Sequence, residues 1–568
     1  MMRTVLKSVA ALSALALGVA ACSSSTSSGS GNSNKAAATT GKTLVIESTP
    51  LSPMTDNFNP LSSTSTGYVT NSTALYNEPL YIFNNVRPTQ APIPILASGT
   101  PTWSNGGKTL TIPVRAGVKW NDGKPFSASD VAFTFNMIKA HPALYTSGAP
   151  TVTSATATSA TSVTLNFAKP EYANLFLIGQ VYIEPQHIWS TVSNPVTYSD
   201  PTPVGTGPYM LDKFSPQGYT LKVNPLYRAK STLHVPEIDF PSYDTNANLV
   251  PPIQSGQIDW AGNYVTDIEG NYLSKSTENH TWESSAPYFS DNNVVSLFVN
   301  THKAPLSDAA VRQAISYGIN RQQLSVQGET GYEPPITTTS GLMLPVDQTF
   351  LDPSLANNLP EAGSASKVSS TLTADGYKKV SGKWSKNGKT ISFSISDPVP
   401  YSDYYTDDQL IARQLNAEGF DVKVDGIGNP TVWATDVANG TFDTTIHWSN
   451  QGPSPFEYLD EFMDSSLSAP IGKPAGGDFG RFSDPAAQAA IDQFSSSASP
   501  AVQNSAITKM EQIMTTQVPV IPLLNGGAWG EFSTRNYTGW PTAGNPYMVP
   551  VPNTPYLEYT VTQLKPAS

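Results

Sequence analysis

Residues 391–424 read ISFSISDPVPYSDYYTDDQLIARQLNAEGFDVKV. Ile391–Ile395 alternates apolar and polar side chains, the period of a half-buried strand. Asp407–Ala417 then has helical spacing, and Gly419 stands where a left-handed C-cap is needed. Phe420–Val424 returns to strand spacing. A strand, a helix and a strand on short connections imply a βαβ unit with its two strands parallel. The expected class is therefore a large α/β protein with mixed sheets, not a helical bundle or a simple barrel.

The same patterns recur on both sides of this unit. Thr43-Leu-Val-Ile-Glu47 reads as a β-branched strand, and Lys108–Arg115 (KTLTIPVR) as an alternating one. Ser127-Ala-Ser-Asp130 has capping-box spacing and opens a helix with Val131, Phe135 and Ile138 on one face. Residues 151–167 are Thr/Val-rich and alternate as in a hairpin. A helix is expected from Ser307, with Val311, Ile315 and Ile319 following at helical intervals. Ala501–Thr515 reads as a further helix, and Val518-Pro-Val-Ile-Pro-Leu-Leu524 as a strand whose prolines confine it to a sheet edge. No internal repeat with a period of about 20 to 50 residues is present, which disfavours a solenoid or propeller.

A chain of 568 residues with 39% hydrophobic and 10% aromatic side chains needs more than one core. Charged residues are only 13% and the net charge is −12, with 48 Pro and 40 Gly. An acidic surface repels phosphates, and no Lys/Arg stripe lies beyond the extreme N-terminus, so nucleic acid is not an expected partner. Arg3 and Lys7 precede the apolar run Val9–Ala21, which is too short to span a bilayer and reads as a signal-peptide core over residues 1–21. The run ends in Val19-Ala20-Ala21-Cys22, which resembles a bacterial lipobox, where the Cys is lipidated and becomes the mature N-terminus. Cys22 is the single cysteine, so no internal disulfide is available. Residues 22–41 read as a flexible tether with a reach of roughly 24 Å. The expected location is the outer face of a cell membrane, held there by lipid.

Several blocks together resemble family 5 of the bacterial extracellular solute-binding proteins. They are Trp103-Ser-Asn-Gly-Gly-Lys-Thr with Arg115-Ala-Gly-Val-Lys-Trp120-Asn-Asp-Gly123, Gly205-Thr-Gly-Pro-Tyr209, Phe298-Val-Asn300 with Ala304-Pro-Leu-Ser-Asp308 and Val311-Arg-Gln-Ala-Ile315, and Val518-Pro-Val-Ile-Pro522. The resemblance implies a two-lobed periplasmic-binding-protein-like fold with an extra accessory domain and a hinge. Lobe I is expected over 42–82, 205–305 and 525–568, the accessory domain over 83–204, and lobe II over 306–524. It further implies a monomeric receptor of an ABC importer that closes on an oligopeptide or similar oligomer and hands it to a permease. No catalysis, cofactor or metal is called for.

Other motifs have simpler readings. Asn105-Gly-Gly-Lys-Thr109 looks like a phosphate loop, but Thr102 stands where that motif needs its first Gly, so a turn is expected. Trp120-Asn-Asp-Gly123 resembles the family's structural turn. The six His residues are scattered without metal-ligand spacing, and no Gly-x-Ser-x-Gly elbow is present. The informative segment is His447-Trp448-Ser-Asn450-Gln451-Gly-Pro-Ser-Pro-Phe456-Glu-Tyr458. Peptide-binding relatives carry an Asp here that pairs with the peptide's α-ammonium. Gln451 is neutral and offers both donor and acceptor, which suits hydroxyls and amides. The Gly-Pro-Ser-Pro-Phe form and Ser255–Tyr264 are more like relatives that bind β-linked oligosaccharides. Trp448, Trp260, Trp433 and Phe456 are candidate stacking faces, or else core rings. Asn450, Gln451 and Asn263 are candidate polar contacts, and Asp443 reads as a strand-end structural residue. The alternatives are a β-oligosaccharide receptor, a secreted wall-polymer hydrolase and a nickel-complex receptor.

Overall fold

The computed structural model describes residues 41–47, 51–87, 90–144, 150–243, 246–553 and 556–568. Two sheets organise the chain. The first has seven strands, in the order Asn279–His280, Glu531–Ser533, Trp260–Ala261, Leu44–Glu47, Glu237–Pro241, Gly218–Val223 and Tyr209–Ser215. The short apolar strand Leu44–Glu47 lies in its middle, parallel to both neighbours. Leu44, Ile46, Tyr209, Leu221, Ile238 and Trp260 build the core beneath it. This is lobe I.

The second sheet has five strands, in the order Asp421–Ile427, Ser392–Pro398, Thr444–Trp448, Asp291–Val299 and Val520–Gly527. The expected βαβ unit is here: Ser392–Pro398 and Asp421–Ile427 pair in parallel through the helix Ser402–Glu418. Gly419 caps that helix at φ 99°, a left-handed value that only glycine adopts freely. The helix starts earlier than its spacing predicts. Its buried face carries Tyr404, Asp407, Asp408, Ile411 and Leu415, and the two aspartates hide the apolar stripe. The proline-bearing strand Val520–Gly527 is at the sheet edge as expected. The helix expected from Ser307 spans Ala309–Gly318 and is capped by Asp308.

The strand Asp291–Val299 pairs inside this second sheet, so the sheet of lobe II is carried by residues 291 to 527. The two crossings between lobes are adjacent. Asp291 lies opposite Gly527, and the Ala528 N–H donates to the Ser290 carbonyl at 2.8 Å. The accessory region between the first two segments of lobe I holds a four-stranded antiparallel sheet and the helix Ala128–Ala140. Ser127 and Asp130 form the predicted capping box, and residues 154–159 and 162–166 form the predicted hairpin.

The shared sequence blocks are mostly packing devices. Pro522 of the last block is held by Arg321, which is fully buried; its Nε donates to the Pro522 carbonyl at 2.8 Å and its Nη1 to the Ser316 carbonyl at 2.8 Å. Arg312 reaches the Val518 carbonyl at 2.9 Å. Both tie helices to the edge strand. Gly205 lies against the Tyr76 backbone, where a Cβ would come within 1.7 Å of its carbonyl oxygen.

Candidate functional site between the lobes

Strand pairing fixes which end of lobe II faces lobe I. Trp448 lies opposite Val295 and Thr444 opposite Val299, so Thr444–Trp448 runs toward the crossing end of the sheet. The loop that follows leaves beside lobe I. Ser449 anchors it: its N–H donates to the Val294 carbonyl at 3.0 Å, and its Oγ accepts from the Val294 N–H at 2.9 Å. The Asn450 N–H donates to Glu461 Oε2 at 2.6 Å on the helix Phe456–Met463. Ser454 donates through N–H and Oγ to Glu457, at 3.1 and 2.8 Å. Burial pushes Glu457 up to about 7, although these bonds oppose the rise. Gly452 packs on Glu457 so closely that a Cβ would sit 2.3 Å from its Cγ.

The predicted site residues separate into distinct groups. Trp448 is 38% exposed and stacks on His447 at 4.5 Å between centroids. Asn450 is exposed and Gln451 half-buried on the same loop. Trp433 is buried; it stacks on the other partner of this group, His447, at 5.4 Å and donates its indole N–H to Thr445 Oγ1 at 2.8 Å. It braces the Trp448 platform and does not extend it. Burial pushes His447 down to about 4, so the imidazole in this stack is neutral.

Two candidates are core. Trp260 is 0% exposed, donates to the Pro550 carbonyl at 2.6 Å and meets Trp540 edge-on at 5.3 Å. Phe456 lies flat on Phe494 at 4.0 Å inside lobe II. Neither ring has a face left for a ligand. Asn263 is buried in a polar knot of lobe I, bonded to Glu47 and Glu531. Asp443 is structural, as expected: Lys303 pairs with it at 2.9 Å and the Ser394 N–H donates to it at 3.1 Å. Cys22 lies outside the described residues.

Sequence reasoning missed the groups through which the lobes touch. Tyr264 of lobe I donates from Oη to the Gly328 carbonyl of lobe II at 3.3 Å. Tyr332 Oη accepts from the Ile268 N–H at 2.6 Å and donates to the Val265 carbonyl at 3.1 Å. Around them Tyr288, Phe289 and Trp529 form an aromatic cluster. Tyr404, on the long helix of lobe II, meets Trp448 at 6.4 Å between centroids. Only Tyr264, next to Asn263, had a local signal. The others come from unconnected segments that share no spacing.

A cavity of about 490 Å³ opens at the other end of the lobe II sheet, where His302, Ser468, Ile471, Arg481 and Phe482 contribute to its walls. It is remote from the contacts between the lobes. Among the described residues no group of three or more His, Cys, Asp or Glu is arranged to hold a metal ion. No helix of the described residues is long and apolar enough to cross a membrane.

The sequence profile of bacterial extracellular solute-binding proteins, family 5 (middle region), matches residues 91–469, and the chain belongs to that family. A putative ABC transporter peptide-binding protein of Brucella ovis is 23% identical over 518 residues, covering 86% of this chain and 89% of that one. The fold matches the mannohexaose-bound periplasmic oligopeptide-binding protein of Thermotoga maritima with a TM-score of 0.81 at 23% identity, over 93% of this chain and 99% of that one. It also matches AppA of Bacillus subtilis in complex with a nonapeptide, with a TM-score of 0.72 at 17% identity over 93% and 99% of the two chains. The protein is therefore an extracellular-type solute-binding protein with the mixed α/β fold of such receptors.

Proposed function

We propose that this chain is the ligand-capturing subunit of an ABC importer and takes an extended oligomer, in the first instance an oligopeptide, between its lobes. The supporting observation is the pair of adjacent crossings at Ser290–Asp291 and Gly527–Ala528, with the Trp448–Ser454 loop set beside them on the lobe II side. Ligand contacting both lobes stabilises the closed arrangement by its differential affinity for it. The permease then receives the closed receptor, and no covalent step occurs on the ligand. Trp448, Asn450 and Gln451 are the proposed contacts, with Trp433 as support.

A second reading is a β-linked oligosaccharide as guest. A half-exposed indole backed by a neutral imidazole offers a flat apolar face to a sugar ring, and Asn450 and Gln451 offer neutral partners for hydroxyls. The mannohexaose-bound relative supports this reading. A thermal-shift screen of mixed-sequence peptides against manno-, cello- and xylo-oligomers separates the two, because bound ligand raises the melting temperature by mass action. No shift with any oligomer, or cleavage of one, overturns the receptor reading. We also propose that Cys22 is lipidated and tethers the protein to the membrane. Cys22→Ser is expected to release it to the medium, and retention in the membrane fraction would refute the anchor.

A further inference from the structure

The part of lobe II held by lobe I rests on carboxyl groups. Tyr264 and Tyr332 bond lobe I to the two ends of the segment Gly328–Tyr332. Between these bonds stands Glu329, and Glu333 follows directly; both are buried. Beneath them lies the helix Ser402–Glu418. Its Asp407 has no exposed surface and packs so tightly on Gly328 that a Cβ there would come within 1.8 Å of Oδ1. All four carboxyl oxygens of Glu329 and Asp407 are buried without a hydrogen-bond donor, and the two groups are close enough to act on each other. Two neighbouring buried carboxyl groups with no donor and no counter-ion are tolerated only if at least one of them holds a proton. Glu333 Oε1 accepts from the Gly527 N–H at 2.9 Å on the crossing strand, while Oε2 has no partner.

The other ionisable groups acting here are acids too. They are Glu333 on the same segment, Asp403, Tyr404 and Asp408 on the helix, Asp291 at the start of the crossing strand, and Tyr264 from lobe I. Glu329 and Asp407 have no exposed surface, and among the described residues no Lys, Arg or His forms an ion pair with either. The segment is strained: Thr330 has φ 52° and Gly331 φ 84°, and a β-branched residue enters the left-handed region only at a cost.

We propose that closure of the lobes is proton-linked: Gly328–Glu333 holds lobe I only while Glu329 and Asp407 share a proton, and loss of that proton frees the segment. Burial and the neighbouring carboxylates raise both groups well above the usual carboxylate range. The closed form therefore binds protons that an opened, hydrated segment releases. Closure is fully supported at acid pH and is lost as pH rises through the raised values. This rests on the two-lobed receptor reading but not on the identity of the guest.

The test is small-angle scattering of the ligand-free full chain, from about pH 5 to about pH 9 and well below its melting temperature. The wild type is expected to be compact at the acid end and to increase its radius of gyration toward the alkaline end. Glu329→Gln offers a donor beside Asp407 and removes one of the two titrating carboxyls, so its opening midpoint is expected to lie above the wild-type one. Tyr264→Phe leaves the acids in place and removes one bond from the grip; its opening midpoint is expected to move down by up to about one pH unit. A wild-type radius that does not change with pH overturns the proposal. So does a Tyr264→Phe midpoint equal to wild type, even if Glu329→Gln fails to fold. Oligomer binding with a flat scattering profile removes only the proton link, whereas a pH-dependent radius without oligomer binding removes only the receptor reading.

Discussion

Replacing Trp260 by Ala removes a ring with no exposed surface and leaves the Pro550 carbonyl without its indole donor. It is expected to destabilise the protein by about 3–5 kcal/mol in urea unfolding. Trp448→Ala removes a half-exposed ring and is expected to change stability by less than ~1 kcal/mol while weakening oligomer binding by at least ~1 kcal/mol. Titration calorimetry beside unfolding curves checks both, and unchanged affinity in folded Trp448→Ala removes that residue from the site. The sequence could name both tryptophans but could not sort them. Side-chain type sets what a ring can do; long-range partners such as Pro550, Trp540 and Phe494 decide whether a face is left to do it.

At the scale of elements, local chemistry was legible and lateral order was not. The Ser127/Asp130 capping box, the Gly419 cap and the proline-bearing edge strand each carry their instruction within a few residues. The start of the long helix did not, because Asp407 and Asp408 occupy its buried face and broke the apolar period. The pairing of Asp291–Val299 into the second sheet depends on partners more than a hundred residues away, which no local pattern encodes. One element-scale prediction follows from the helix cap. At Gly419 φ is 99°, and a Cβ would lie 2.7 Å from the Gly382 carbonyl oxygen. Gly419→Ala is expected to destabilise by about 1–2 kcal/mol. Unfolding midpoints equal to wild type would show that the turn relaxes instead.

At the scale of the molecule, the notable charge feature is a set of buried acids distributed through both lobes. Burial lifts Glu47 and Glu511 to about 7 and Glu461 and Asp478 to about 8. Their unfolded values lie near 4. Below that range both states are protonated, and the acids cost the fold nothing. As pH climbs through 7 and 8, the unfolded chain has released protons that the folded one still holds, so stability falls. The melting temperature is expected to be several degrees lower near pH 9 than near pH 5 in differential scanning calorimetry; equal values would mean that water reaches these groups in the folded state.

The neighbouring crossings have a geometric consequence for loading. With Asp291 beside Gly527 and Ala528 bonded to Ser290, both covalent links run along one margin. Two parallel straps on a single side permit a swing about that margin and resist sliding or corkscrew movements. The gape is then widest at the rim farthest from the straps, so the proposed oligomer would enter flank-first along its whole length and would not be drawn in by its tip.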